Sequence, residues 1–223
     1  MDSRIVNREI RREIWPALRV KGFDAFTPRT VWRHFPDRVW VVNFQSFNSY
    51  FSLVDGCTTF SFALNLGIYF HALCEEGKTE VQAKPKDYQC HMRRKLFKTI
   101  VQQNYSRKDI WYVDPEGLNL LEVIDDARRV LLADGIAWFD SLSELSHILE
   151  ILVQENESDT LFGIGAKWSP HRKLLIGRAA VATGQEELGL RILSAAEAEL
   201  QSIKLQFESL GRNGRQPKRS TAE

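Results

Sequence analysis

Apolar residues recur with helical spacing between residues 3 and 20, and with strand spacing between residues 26 and 70. The predicted strands lie at 31–35, 38–47 and 58–70, separated by turn-forming residues at Pro36-Asp37 and Asp55-Gly56. Along the third strand, apolar residues alternate with small or polar ones, so one face is predicted to be buried and the other to be polar. This pattern is typical of an antiparallel sheet.

The second half of the chain changes to helical spacing. A polar stretch at 75–88 predicts a loop, and short strands are expected at 89–96 and near 111–113. The predicted helices lie at 118–134, from Ser141 to about 153, from Pro170 to about 184, and at 186–210. Ser141 and Glu144 have the spacing of a capping box, and Ser169-Pro170 is a typical helix start. The predicted fold class is α+β, with an N-terminal helix, an antiparallel β-sheet and then an all-helical C-terminal part.

Size and composition are those of a globular protein. The 223 residues are 43% hydrophobic and 26% charged, and a chain of this length buries about 70% of its surface on folding. We expect a helix plus antiparallel sheet in 1–113, helices packed on or beside it in 114–210, and a disordered basic tail in 211–223. The three cysteines form no CxxC pair, and there is no signal-peptide pattern or long apolar run. These features favour free thiols, a cytoplasmic location and no membrane association.

Charge is segregated along the chain although the net charge is only +1. Residues 84–108 contain eight basic residues and one acidic residue, a net charge of +7, whereas 111–160 contain twelve acidic and two basic residues, a net charge of −10. Two interpretations stay open: oppositely charged solvated faces that attract each other within the fold, or a basic surface that binds a partner or a polyanion.

No familiar catalytic motif is present, so neither catalytic residues nor a cofactor is predicted. The sequence lacks GxSxG, P-loop, HExxH, CxxC and strand-linked GxGxxG patterns. Glu122, Asp125 and Asp126 share one helix face, a spacing that suits a divalent cation. Pairing with Arg129 on the same helix is the favoured interpretation, and no metal site is predicted.

The segment KDYQCHMRRKLF at 86–97 carries the most informative polar pattern. On a strand, His91, Arg93 and Lys95 would point to one side, and Cys90 to the other. If neighbouring strands align their polar faces, one side of the sheet would collect five candidate ligand-binding residues, Asn43, Gln45, Asn65, His91 and Arg93. Such a face suits an anionic or hydrogen-bonding ligand. The alternative is a face that is solvated or covered by the acidic helices.

Several segments in succession resemble the uncharacterised bacterial family called domain of unknown function 4304. They are VWVVNFQ, FALNLGIYF and CHMRRKL, preceded by a helix reaching GF and followed by a tryptophan that opens an acidic helix. The similarity spans about residues 10–153, with motifs Asn43-Phe44-Gln45, Asn65-Leu66-Gly67-Ile68, and Cys90-His91 with Arg93. The resemblance implies a bacterial, cytoplasmic setting and transfers no activity or cofactor.

Three functional hypotheses follow from these patterns. The first is a non-enzymatic binding or interaction protein of a bacterial gene cassette, whose protein partner contacts Arg93, Arg94, Lys95 and Lys98. The second is a small-ligand-binding protein or enzyme that uses the polar sheet face. The third is nucleic-acid binding through residues 84–108 and the basic tail, which requires affinity that falls steeply with salt. The oligomeric state stays open.

Overall fold

The computed structural model describes residues 3–74, 83–103, 105–158 and 161–213. Its helices are α1 (Ser3–Glu13), α2 (Trp15–Val20), α3 (Ser49–Asp55), α4 (Leu120–Val130), α5 (Ile136–Ser141), α6 (Leu145–Gln154), α7 (Pro170–Ala182) and α8 (Glu186–Asn213). Its strands are β1 (Ala25–Phe26), β2 (Thr30–His34), β3 (Arg38–Ser46), β4 (Phe62–Phe70) and β5 (Met92–Lys95). The predicted α+β class is confirmed, with the N-terminal helix, the sheet and the helical C-terminal part in the expected order.

The five strands form one antiparallel sheet in the order β1-β2-β3-β4-β5. Each strand pairs with its neighbour in sequence, with short turns at 27–29 and 35–37 and longer connections before β4 and β5. The register places Asn43 opposite Asn65, and Asn65 opposite Lys95. Residues directly opposite each other share a face of the sheet, so the polar positions of β3, β4 and β5 do align.

One face of the sheet packs against α2 and α5. Trp15 of α2 lies edge-on to Phe44 of β3, with ring centroids 5.4 Å apart. Trp40 of β3 stacks on Phe139 of α5 at 4.7 Å and an interplanar angle of 11°. Leu66 of β4 is fully buried in the same core. Aromatic and aliphatic side chains of the strands therefore bury their apolar surface against α2 and α5.

The second face of β4 is also buried, so the prediction of a half-buried strand was wrong. Eight of the nine residues of β4 are buried, because residues 83–91 lie across this face. Trp32 Nε1 donates a hydrogen bond to the Pro85 carbonyl at 2.8 Å. A Cβ on Gly67 would lie 2.6 Å from Cys90 Sγ, so only glycine admits so close a cover. From residue 83 onward, the predicted polar loop therefore covers the second face of the sheet. Residues 75–82 of that loop lie outside the described residues.

The C-terminal helices are joined by a buried arginine and by two glycines. The Ser169 hydroxyl accepts the Arg172 N–H at 3.2 Å and caps α7, as the Ser169-Pro170 pattern predicts. The Arg172 guanidinium donates to the carbonyls of Leu152 and Ile151 at the end of α6. α7 and α8 approach closely where Gly177 meets Gly189, because neither glycine has a side chain to separate them.

Several element boundaries differ from the predictions. The helix predicted at 118–134 continues through a π-helical turn at Leu131–Gly135 into α5. The predicted capping box is wrong: the Ser141 hydroxyl donates to the Trp138 carbonyl at 2.8 Å, and α6 begins only at Leu145. Trp111 forms a single β-bridge to Phe62 and no strand. α8 continues past Gly211 to Asn213, and the rest of the predicted tail lies outside the described residues. Within the described part, no helix has the length and apolar character needed to cross a membrane.

Candidate functional site

A cavity of about 390 Å³ lies where the end of β4 and the start of β5 face α7. Its walls come from three parts of the chain: the end of β4 and the turn after it, the segment leading into β5, and α7 with the loop that precedes it. The lining residues are Tyr69, Leu73, Cys74, Tyr88, Gln89, Cys90, His91, Arg93, Gly163, His171, Leu174, Leu175 and Arg178. Cavities of this volume accommodate small molecules.

The ionisable side chains of arginine and histidine among the described lining residues give the cavity a basic character. Arg93 and Arg178 contribute two guanidinium groups, and His91 and His171 contribute imidazoles. Among the described residues that line it, none is an aspartate or glutamate. Two permanent positive charges in a partly enclosed site create a positive potential that favours an anion.

His91 is held as a neutral hydrogen-bond donor. The Phe70 backbone N–H donates to His91 Nδ1 at 3.1 Å, so Nδ1 accepts and the proton of the neutral ring lies on Nε2. The ring stacks on Tyr69 with centroids 5.0 Å apart. Burial, together with the positive charges of Arg178, His171 and His71, lowers the pKa of His91 to about 4. His91 therefore offers an N–H without a charge throughout the neutral pH range.

Arg93 brings a guanidinium to the cavity wall with one donor unused. Its backbone exchanges two hydrogen bonds with Phe162, at 2.8 and 2.9 Å, and its Cζ lies 4.9 Å from the centre of the Phe162 ring. A Cβ on Gly163 would lie 2.6 Å from Arg93 Nε, so glycine makes room for the guanidinium. Arg93 Nε is buried and has no hydrogen-bond partner within the described chain. A buried unpaired donor costs about 1–3 kcal/mol.

The basic residues of α7 were not identified from the sequence. Those that line the cavity are His171 and Arg178. They lie at i and i+7 on one helix, with Leu174 and Leu175 between them, so all four share a face. Arg178 Nη1 donates to the Leu73 carbonyl at 3.0 Å, which ties α7 to the turn after β4. The shared helical face was a usable signal, but only the fold shows that it points to the sheet.

The cavity contains two cysteines, Cys74 and Cys90. The Cys74 thiol donates to the Tyr69 hydroxyl at 2.9 Å. Burial raises the pKa of Cys90 well above its usual range, and burial with the Cys74 contact raises the pKa of Tyr69 to about 12. The prediction that Cys90 and His91 face opposite sides was wrong, because β5 begins only at Met92 and both residues precede it. A protonated, buried thiol is a poor nucleophile, so neither the geometry nor the ionisation of Cys90 suggests covalent catalysis.

The three predicted amide residues lie outside this cavity. Asn43 Nδ2 donates to Asp87 Oδ1 at 3.1 Å, and Asn65 Nδ2 donates to Gln45 Oε1 at 2.8 Å. Of the five predicted ligand-binding residues, only His91 and Arg93 line the cavity. The alternation along the strands brought the amides to one face, but the cover at residues 83–91 engages Asn43 there.

The four predicted partner-binding residues do not form one surface. Arg93 and Lys95 lie on one face of β5, whereas Arg94 lies opposite Leu66 on the other. Lys95 Nζ lies 3.7 Å from a carboxylate oxygen of Asp109. Lys98 is buried, and its ammonium donates to Gln102 Oε1 at 2.6 Å and to a backbone carbonyl at 3.2 Å. Alternation along β5 places Arg94 on the opposite face from Arg93 and Lys95. The Lys98 ammonium is occupied by hydrogen bonds within the protein.

The acidic cluster of α4 is also divided between solvent and core. Asp126 is fully buried and accepts a hydrogen bond from Trp111 Nε1 at 2.9 Å, whereas Asp125 is half-exposed and pairs with Arg128 and Arg129. Within the described residues, no group of three or more histidine, cysteine, aspartate or glutamate side chains is placed to hold a metal ion.

Comparison with known proteins gives one match. No curated protein and no solved structure matches the chain. The model of the family described as "Domain of unknown function (DUF4304)" matches residues 14–141, a shorter stretch than the 10–153 expected from the motifs. The match includes Tyr69, His91 and Arg93 of the cavity, while the α7 wall lies beyond it. Because the match covers more than half of the 223 residues, the chain belongs to the DUF4304 family.

Proposed function

We propose that this chain binds a small anionic ligand in the cavity between the sheet and α7, without catalysing a reaction on it. The observation that carries the proposal is the pair of guanidinium groups, Arg93 and Arg178, in a cavity whose described lining residues include no carboxylate. Arginine forks match the paired oxygens of carboxylate and phosphate groups. A bound anion would offset the positive potential of Arg93 and Arg178.

The ligand would bridge two parts of the protein. Arg93 lies on β5 and His91 directly before it, whereas Arg178 and His171 come from α7. Binding therefore supports the docking of the C-terminal helices onto the family domain. A ligand that binds the native state and not the unfolded state also raises the apparent stability of the protein by mass action.

Ligand binding has more support than the two surface hypotheses. A protein partner or a nucleic acid bound through residues 84–108 would need several exposed basic side chains on one side. Lys98 is buried, Lys95 lies near Asp109, and Arg93 and Arg94 face opposite ways. These positions favour a cavity that uses Arg93 over a continuous basic surface.

Arg93→Gln should weaken anion binding by about 10-fold or more, because a hydrogen bond to a charged group contributes about 1.5–3 kcal/mol. Isothermal titration calorimetry with inorganic phosphate and with succinate measures the change. Arg94→Gln is the matched control, since it removes the same charge from the adjacent residue on the opposite face of β5. Equal affinities of Arg93→Gln and wild type, or a wild type that binds neither anion, would refute the proposal.

A further inference from the structure

The cavity is larger than a simple anion requires, and its lining includes aromatic side chains. Phosphate or a short carboxylate would fill only a small part of 390 Å³, and the remaining walls are not uniformly apolar. Two aromatic groups stand among them: the stacked pair of Tyr69 and His91, and the side chain of Tyr88. The cavity thus combines aromatic surfaces with the guanidinium groups of Arg93 and Arg178, which are together called its basic end below.

Tyr88 is presented to solvent at this cavity on a hydrogen-bonded turn. Its side chain is 68% exposed although it lines the cavity, so one part of the ring is not packed against protein. The turn Asp87–Gln89 is held by the Gln89 N–H, which donates to the Lys86 carbonyl at 2.9 Å, and by the Lys86 N–H, which donates to Gln89 Oε1 at 2.8 Å. These bonds hold the backbone that carries the ring before a ligand arrives, so stacking on Tyr88 orders its side chain alone.

The charge of the basic end favours phosphate over carboxylate. Arg93 and Arg178 are both permanently charged, and the His91 Nε2–H adds a neutral donor. A phosphate monoester carries a charge of about −1.5 to −2 near neutral pH and three acceptor oxygens, so it matches two guanidinium groups better than one carboxylate does.

From the basic end and the aromatic walls together, we infer that the ligand is a phosphate monoester with an aromatic ring, of the class of the nucleoside monophosphates. The inference rests on the proposed anion site. The phosphate binds between Arg93 and Arg178, and the base stacks on Tyr88 at the open side of the cavity. Stacking on aromatic side chains tolerates every base, because each base has a π-face.

The test compares adenosine monophosphate with ribose 5-phosphate, which carries the same phosphate ester without a base. We expect calorimetry to give about 10-fold tighter binding of the nucleotide to the wild type. Tyr88→Ala should remove this difference while leaving the affinity for ribose 5-phosphate unchanged, and Tyr88→Phe should retain it. Tyr50→Ala is the matched control, since Tyr50 is 69% exposed on α3 and does not line the cavity.

The outcomes separate this inference from the proposed function. Equal affinities for the two phosphates, both reduced by Arg93→Gln, would overturn the aromatic class and leave anion binding in place. A nucleotide preference that survives Tyr88→Ala would overturn the assignment of Tyr88. If the wild type binds neither phosphate ester and neither simple anion, both the inference and the proposed function fail.

Discussion

Asp126→Ala should lower the free energy of unfolding by about 2–4 kcal/mol, because it leaves the buried donors of Trp111 and Thr99 without an acceptor, each at a cost of about 1–3 kcal/mol. The Asp126 carboxylate is fully buried and joins α4 to the segment that precedes it. It accepts hydrogen bonds from Trp111 Nε1 at 2.9 Å, from the Thr99 N–H at 3.1 Å and from Arg129 Nη2 at 2.8 Å, and the Thr99 hydroxyl also donates to it. Urea unfolding followed by tryptophan fluorescence measures the loss.

Asp125→Ala provides the matched control. Asp125 precedes Asp126 on the same helix but is 54% exposed, and its partners are Arg128 and Arg129 at the surface. Exposed ion pairs contribute about 0–1 kcal/mol, so this variant should remain close to wild type. Asp126→Asn keeps an acceptor oxygen and should fall between the two, which preserves the comparison if Asp126→Ala does not fold. Equal losses for Asp125→Ala and Asp126→Ala would contradict the assigned role.

The elements that depend on local pattern were predictable from the sequence. The strand alternation gave the antiparallel sheet, and the Ser169-Pro170 pair gave the start of α7, because both signals act between residues close in sequence. Ser141 and Glu144 have an equally good local spacing, yet the Ser141 hydroxyl bonds backward into the preceding helix. A cap motif identifies a helix end without deciding which of two adjacent helices it serves.

Tertiary contacts explain what the sequence could not predict. Glu122, Asp125 and Asp126 share a helix face by spacing, but packing alone decides that Asp126 turns inward to Trp111. The pattern predicts a polar loop up to residue 88 and a strand from 89, but it does not show that Cys90 lies against Gly67 in the middle of the sheet.

The candidate site shows the same division. His91 and Arg93 were found because they lie in a strand-like segment, and the two were placed on one side by alternation. Arg178 and His171 complete the cavity from a helix outside the matched family region, and no local pattern connects them to β5. The amides predicted to join His91 have other partners: Asn43 bonds to Asp87, and Asn65 bonds to Gln45 on the neighbouring strand.

Lowering the pH below 6.5 should reduce the free energy of unfolding, because the buried His91 resists protonation in the native state. Its pKa is lowered from the ordinary 6.5 to about 4 by burial and by the positive charges of Arg178, His171 and His71. Between these two values the unfolded chain binds the proton and the native protein does not, so the free energy of unfolding falls as the pH decreases from 6.5 to 4. At about 1.4 kcal/mol per pH unit, this one group should account for a loss of up to about 3 kcal/mol, and for none above pH 6.5.

His91→Asn tests this attribution, because the asparagine oxygen retains an acceptor for the Phe70 N–H without a group that titrates in this range. Urea unfolding at half-unit steps from pH 7.5 to 4 should give a shallower decline for His91→Asn than for the wild type. His147→Asn, which alters a half-exposed histidine on α6, should follow the wild-type curve. Parallel curves for His91→Asn and wild type would mean that His91 is solvated and protonates freely, and the same result would remove the neutral Nε2–H donor from the proposed anion site.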